Sequence, residues 1–270
     1  MSPSLLLVSA NPEAFADQHG AGRTLRWPHE TPALLTAHWS RLTPMLDALS
    51  AATGVRRLGL DEALALPLVP EMAVVIELGT AGERLSLSTD PGNAARLASL
   101  LVGLAYAEDR VAGVPLDVLG RLLPGAGRAA GLTQTASILS LARELLAALR
   151  DPRRWLAMTD RSEAGLAAAR VLSLAGMTLV PPAATSIPTA ARTPMLAEID
   201  GGFELRIPVE GLRKDLLRLA SAEGRLLVST DGVTIPVELP AALKRCRVTG
   251  ASTDAGALVV RFQIDEQRWR

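Results

Sequence analysis

Apolar residues follow three different rhythms along this chain. Residues 4–9 form one continuous run, Ser-Leu-Leu-Leu-Val-Ser, closed by Asn11-Pro12, which predicts a buried strand. Residues 10–31 carry Pro, Gly and His without periodicity and read as irregular. Thr31-Pro32 then opens a helix, a capping residue followed by proline. That helix carries Leu34, Leu35, Trp39, Leu42, Leu46 and Leu49, with a kink at Pro44 and an end near Gly54. A short helix over 60–66 stops at Pro67. Met72 to Leu78 is apolar with a β-branched centre and predicts a buried strand, broken by Gly79-Thr-Ala-Gly82.

From about 92 to 150 the period is helical, interrupted at Pro115 and Pro124-Gly125. The last of these helices sets Ile138, Leu139, Ala142, Leu145, Leu146 and Leu149 on one face and Arg143 and Glu144 on the other. A strand over 154–158, a helix over 161–175 closed by Gly176, and a strand over 177–180 form a βαβ unit. The chain thus reads as α/β up to residue 180. Pro181 to Pro194 holds four prolines and no periodicity, and reads as a linker. Beyond it the period falls to two, in strands around Phe203–Ile207, Leu226–Val228, Val233–Leu239 and Leu258–Phe262. Turns are expected at Glu223-Gly224, Asp231-Gly232 and Ala255-Gly256, which predicts a small all-β module.

Composition narrows the function classes. Of the 270 residues 49% are hydrophobic and only 3% aromatic, so the core is aliphatic. Twenty-eight basic residues balance 28 acidic ones, which argues against a nucleic-acid binder driven by phosphate neutralisation. One cysteine, Cys246, excludes a disulfide framework within the chain; its neighbours Arg245 and Arg247 could lower its thiol pKa, although an incidental cysteine is the simpler reading. His19, His29 and His38 are the only histidines, with solvated or capping roles favoured over a metal site. Apolar runs too short for a signal peptide or a membrane span lead to the expectation of a soluble, cytoplasmic protein.

Two resemblances follow from particular motifs. Phe203-Glu-Leu-Arg-Ile-Pro-Val-Glu-Gly-Leu212, Asp215-Leu-Leu217, Gly224-Arg-Leu-Leu-Val228, Ile235-Pro-Val-Glu-Leu-Pro240 and Gly256-Ala-Leu-Val-Val-Arg-Phe262 resemble the Hsp20-like (α-crystallin-like) domain at the end of some ArsA/Get3-type ATPases. Leu6-Leu-Val-Ser-Ala-Asn-Pro12 is similar to that family's switch I segment, with Asn11 in place of an aspartate. Leu60 to Pro67 and Glu71 resemble a family helix, and Gly82-Glu-Arg-Leu85 resembles switch II, so that Glu77 and Gly79 stand at its degenerate positions. Leu149 to Pro152 and the run from Ala169 to Gly176 match the segment after the family's helical subdomain, while Val180-Pro-Pro182 replaces its adenine-side motif.

The resemblance implies a truncated P-loop-NTPase-like (SIMIBI-type) parallel sheet over 1–180, with a helical subdomain at about 92–150. A linker over 181–195, an Hsp20-like β-sandwich over 196–264 and a tail over 265–270 would follow. No Gly-x-x-x-x-Gly-Lys-Ser/Thr occurs in the sequence, so the glycine-rich cradle and lysine that hold nucleotide phosphates are missing. If a central P-loop strand is lost, the sheet is left with a gap that another strand fills, or a partner fills, or that leaves the domain marginally stable. The implied protein is a pseudo-ATPase with no catalytic residues, no metal and no bound ATP.

Its expected role is that of an interaction or regulatory partner of an intact family ATPase. An ATP-independent holdase for hydrophobic or membrane-protein clients is the alternative, and a residual nucleotide-binding ATPase a second one. Candidate positions are the degenerate switch residues Asn11, Glu77, Gly79 and Gly82, each also explicable as a turn or capping residue. Leu97, Leu100, Leu101, Leu104, Leu139, Leu141, Leu145 and Leu146 are candidates for an apolar client or partner surface, or simply for core packing.

Overall fold

The computed structural model describes residues 3–20, 22–53, 59–60, 62, 69–81, 84–111, 140–182, 193–222, 224–254 and 256–265. Its first two thirds hold a five-stranded, all-parallel sheet in the order β2–β3–β1–β4–β5. The strands are β1 (Ser4–Val8), β2 (Arg23–Arg26), β3 (Leu85–Thr89), β4 (Trp155–Thr159) and β5 (Leu179–Val180). Between them run α1 (Pro12–His19), α2 (Thr31–Thr53), α3 (Val69–Thr80), α4 (Pro91–Val111), α5 (140–150) and α6 (Glu163–Leu174).

The strand order dictates where the helices go. Parallel crossovers are right-handed, so connections running in opposite directions across the sheet lie on opposite faces. Only β1→β2 moves one way; β2→β3, β3→β4 and β4→β5 all move the other. Accordingly α1 covers one face, where Leu5, Leu7 and Leu156 are buried with Ala16. Leu6, Val8, Leu25 and Leu87 face the large core packed by the other helices. The expected central gap does not exist: β1 itself is paired on both sides, to β3 and to β4.

Two expectations are corrected. The run Met72–Leu78 lies in helix α3, with Met72 to Ile76 all buried; a helix enclosed on every side shows no amphipathic stripe and mimics a strand. The segment 10–31 is not irregular but contains α1 and β2; Leu85–Thr89, between the switch-like run and the helical stretch, forms a further, fully buried strand. The expected interruptions at Pro115 and Pro124-Gly125, most of the helix over 60–66 and most of the proline-rich linker lie outside the described residues.

The C-terminal module is a sandwich of two antiparallel sheets, β8–β9–β10 and β6–β7–β12–β11. Its strands are β6 (Met195–Ile199), β7 (Gly202–Pro208), β8 (Arg218–Ala222), β9 (Arg225–Thr230), β10 (Val233–Glu238), β11 (Cys246–Asp254) and β12 (Ala257–Ile264). Leu205, Ile207, Leu226, Val228, Ile235, Leu258, Val260 and Phe262 fill the space between the sheets. The hairpin β9–β10 turns through Asp231 (φ 52) and Gly232 (φ 77), the left-handed pair that a two-residue loop demands. The module is not a loose appendage: α4 packs on β10, α6 packs on β7, β9 and β10, and the apolar core continues through both units.

Candidate functional site

In open parallel sheets, ligands sit beyond the carboxyl ends of the strands where the connections diverge. Here that point lies between β1 and β4, since β1 leads to one side and β4 to the other. The loop after β1 is Ser9-Ala10-Asn11, and the loop after β4 is Asp160-Arg161-Ser162. Each ends in a helix cap. Asn11 Oδ1 accepts the Ala14 N–H at 3.4 Å, and Ser162 Oγ accepts the Gly165 N–H at 3.0 Å. The side chain singled out as a degenerate switch residue is thus an exposed N-cap of α1, the simpler of its two readings.

Asp160 closes the crevice. Its Oδ2 accepts the Ala10 N–H at 2.9 Å, and its Oδ1 accepts the Ser162 N–H at 3.1 Å and the Ser162 hydroxyl at 2.5 Å. Burial pushes this carboxyl upward, but the bonds from Ser162, Ala10 and Ser9 outweigh it and hold it below its ordinary value. The helix α6 must begin tightly against this carboxylate: a Cβ on Gly165 would lie 2.0 Å from Asp160 Oδ1 and 2.5 Å from its backbone oxygen. A negative charge of the chain's own therefore binds the backbone N–H of Ala10, just before the N-cap of α1, where it would repel an incoming phosphate.

The other degenerate-switch candidates are not gathered here. Glu77 is on α3 rather than at a strand end, and it accepts from Arg23 of β2 at 2.7 Å and pairs with His38 of α2 at 2.8 Å. Burial raises its carboxyl, yet the hydrogen bonds of His38 and Arg23 bring it net below the ordinary value. This triad ties the edge strand β2 to two helices. Gly79 is in the last turn of α3, where a Cβ would strike the Leu141 side chain at 2.4 Å; its bareness lets α3 and α5 approach. Gly82 lies outside the described residues.

The leucines proposed as an outer apolar surface point inward instead. Leu97, Leu101, Leu145 and Leu146 are buried, and Leu100, Leu104 and Leu141 pack against the same core; Leu139 lies outside the described residues. The reason is that α4 carries the sandwich on one side and α3 and α6 on others, so more than one face of it is covered. Cys246 is also buried, and that burial, with Asp265 nearby, raises its thiol pKa, which removes the reactive-thiol reading. His19 packs edge-on against Phe15, His29 stands 3.8 Å from Glu13, and no cluster of metal-ligating side chains occurs among the described residues.

Exposed apolar side chains are found on the sandwich. The edge strand β6 is exposed along its whole length, with Met195 61%, Leu196 40% and Ile199 37% accessible, and Ile264 is 48% accessible. Sequence reasoning overlooked β6, Asp160 and the buried Arg170. The signal for Asp160 was present as an aspartate directly after a strand and two residues before a capping serine. The signal for Arg170 was a charge inside the apolar run from Ala167 to Leu172.

Residues 200–262 match the family model described as the HSP20-like domain found in ArsA, so the C-terminal antiparallel module is an Hsp20-like domain of the ArsA type. Over 77 residues the chain is 39% identical to an uncharacterized protein of Streptomyces coelicolor. That similarity spans 28% of this chain and only 20% of the relative's length. No helix among the described residues is long and apolar enough to cross a membrane.

Proposed function

We propose that this protein is a non-catalytic relative of the ArsA/Get3 ATPases that acts by binding another protein, in the first instance an intact ATPase of that family. The observation that carries the reading is the Asp160 carboxylate on the Ala10 N–H at the divergence point of the sheet. Phosphoryl transfer depends on positive groups and backbone donors arranged around the phosphates. Here the backbone donor of Ala10 is taken by an anion of the chain's own, which disfavours a phosphate at this point, so the fold serves as a scaffold. The Hsp20-like domain fixed to it presents β6, whose outer edge pairs with no strand among the described residues and whose apolar side chains suit strand addition by a partner.

The same exposed edge favours a second reading, an ATP-independent holdase whose client surface is β6 rather than the leucine-rich helices. Affinity capture of the tagged protein from native extract, with mass spectrometry of what is retained, separates the two. Stoichiometric recovery of a P-loop relative supports the partner role, and recovery of diverse apolar proteins supports the holdase. Sustained phosphate release from ATP by the purified protein would sink both.

A further inference from the structure

Two Asp-Gly pairs occur in the chain, and each forms the two-residue turn of a hairpin: Asp200-Gly201 between β6 and β7, and Asp231-Gly232 between β9 and β10. In this dipeptide the side-chain carboxyl is open to attack by the next backbone nitrogen, because glycine has no Cβ to obstruct it. At both glycines no other part of the chain comes within 4 Å of where a Cβ would stand. The carboxylates therefore decide whether either pair reacts.

Asp231 is pinned. Arg170 holds both of its carboxylate oxygens, Oδ2 also accepts the Thr230 hydroxyl at 2.9 Å, and only 16% of its side chain is accessible. The Arg170 bonds, against burial, keep its carboxyl below the ordinary value, so the acid form from which water can leave is scarce. Asp200 is the opposite case. It is exposed, and its carboxylate has no hydrogen-bond or ion-pair partner among the described residues. Only the glycine of its turn is left-handed (φ 77), whereas Asp231 and Gly232 both are.

We infer that Asp200 is a site of spontaneous succinimide formation and conversion to isoaspartate, and that Asp231 is not. The Gly201 nitrogen attacks Cγ of the protonated Asp200 carboxyl. The N–Cγ bond forms, the Cγ–OH bond breaks, and the hydroxyl leaves as water with the amide proton. Water then opens the five-membered ring. Attack at Cγ restores aspartate; attack at the main-chain carbonyl breaks its bond to the Gly201 nitrogen and leaves isoaspartate, with the backbone running through Cβ and Cγ. One water leaves and one returns, so no other reactant is needed.

The lengthened backbone is taken up by β6. On the far side of the turn Gly202 is locked, since a Cβ there would lie 2.0 Å from the Phe262 carbonyl oxygen, and β7 is paired on both sides. Strand β6 is paired on one side only among the described residues. Its register on β7, from Ile199 opposite Gly202 to Met195 opposite Arg206, is fixed by this turn and is what gives way. The inference does not depend on what binds β6.

The test incubates the folded full chain in water enriched in heavy oxygen at mildly acidic pH. Each opening of a succinimide inserts one heavy oxygen, which mass spectrometry of proteolytic peptides assigns to a site; protein isoaspartyl methyltransferase counts isoaspartate separately. Label should enter the Asp200 peptide at least tenfold faster than the Asp231 peptide, with isoaspartate in the former alone. In urea the two should label at similar rates, because only the fold distinguishes them. Asp200→Glu, which needs a larger ring, should abolish labelling at that site. No label at Asp200, equal rates in the folded chain, or protection of Asp231 that persists in urea overturns the inference.

Discussion

Arg170 and Asp231 join the two halves of the molecule through a two-pronged ion pair, Nε to Oδ2 at 2.7 Å and Nη2 to Oδ1 at 2.6 Å. Arg170 stands on α6, and Asp231 on the β9–β10 turn sixty-one residues later. The guanidinium also donates from Nη1 to the Gly211 carbonyl at 3.1 Å, and only 4% of its side chain is accessible. A buried cation this well satisfied is costly to disturb: removing one partner of such a pair typically costs about 3–5 kcal/mol.

Arg170→Met should therefore destabilise the protein by about 3–5 kcal/mol in urea denaturation, because it strands the Asp231 carboxylate. Asp231→Asn keeps the left-handed turn, since asparagine tolerates positive φ, and isolates the effect of charge. The double variant should be less destabilised than the sum of the two single changes, as expected for groups in direct contact.

Acid should loosen the same junction. Hydrogen bonds from Arg170, opposed by burial, hold the Asp231 carboxyl below its ordinary value of 3.8. At neutral pH both folded and unfolded states have it ionised and the pair contributes in full. As pH falls through the unfolded value of about 3.9 the unfolded chain takes up a proton that the folded one still refuses, so stability falls with pH until the folded carboxyl is also protonated. Urea midpoints measured from pH 7 to 3 should stay level, as far as this pair is concerned, until about pH 5. The decline below that should be shallower in Asp231→Asn.

Gly165→Ala tests the Asp160 crevice. The added methyl would meet both the carboxylate and the backbone oxygen of Asp160, so the start of α6 must move. A loss of about 1–3 kcal/mol is expected, although alanine is ordinarily the better helix former. A gain in thermal stability would show that the crevice is not closed in this way.

Asn11→Ala removes the cap of α1 and should cost about 0.5–1 kcal/mol in thermal unfolding. A residue kept only as a remnant of switch chemistry would show no stability effect.

Leu196→Lys and Ile199→Lys place charges on an already exposed edge. Stability should change by no more than about 0.5 kcal/mol, while protein retained in the capture experiment should drop at least severalfold. Unchanged capture would remove β6 from the binding surface.

The legible parts of the fold were those with one wet face or a strong stop signal. The alternation in β7 and β10, the Asp231-Gly232 turn, and α6 with Gly176 (φ 88) behind it follow from local chemistry. Met72–Leu78 misled because burial on all sides erases the period, leaving only Pro70 and Glu71 in the first turn to mark a helix. The edge strand β2 escaped because only Leu25 of its four residues is buried, and charged Arg23 and Arg26 look like loop. In β3, serines alternate with leucines although both faces are enclosed, so the run lacks the continuous apolar signature of a buried strand. Asp160 and Arg170 each left a local signal, but their pairings with Ala10 and Asp231 were not legible, because the partners are separated by 150 and 61 residues.

The continuous core across the seam also sets an order of events during synthesis. The helices α4 and α6 are complete when the ribosome has passed residue 174, but the hairpin that covers them, Arg225–Glu238, is made later. At ordinary elongation rates the wait is several seconds. During that interval the nascent protein displays oily helical flanks that its own last third will later cover. In the folded chain those flanks are closed off by β7, β9 and β10 of the Hsp20-like domain.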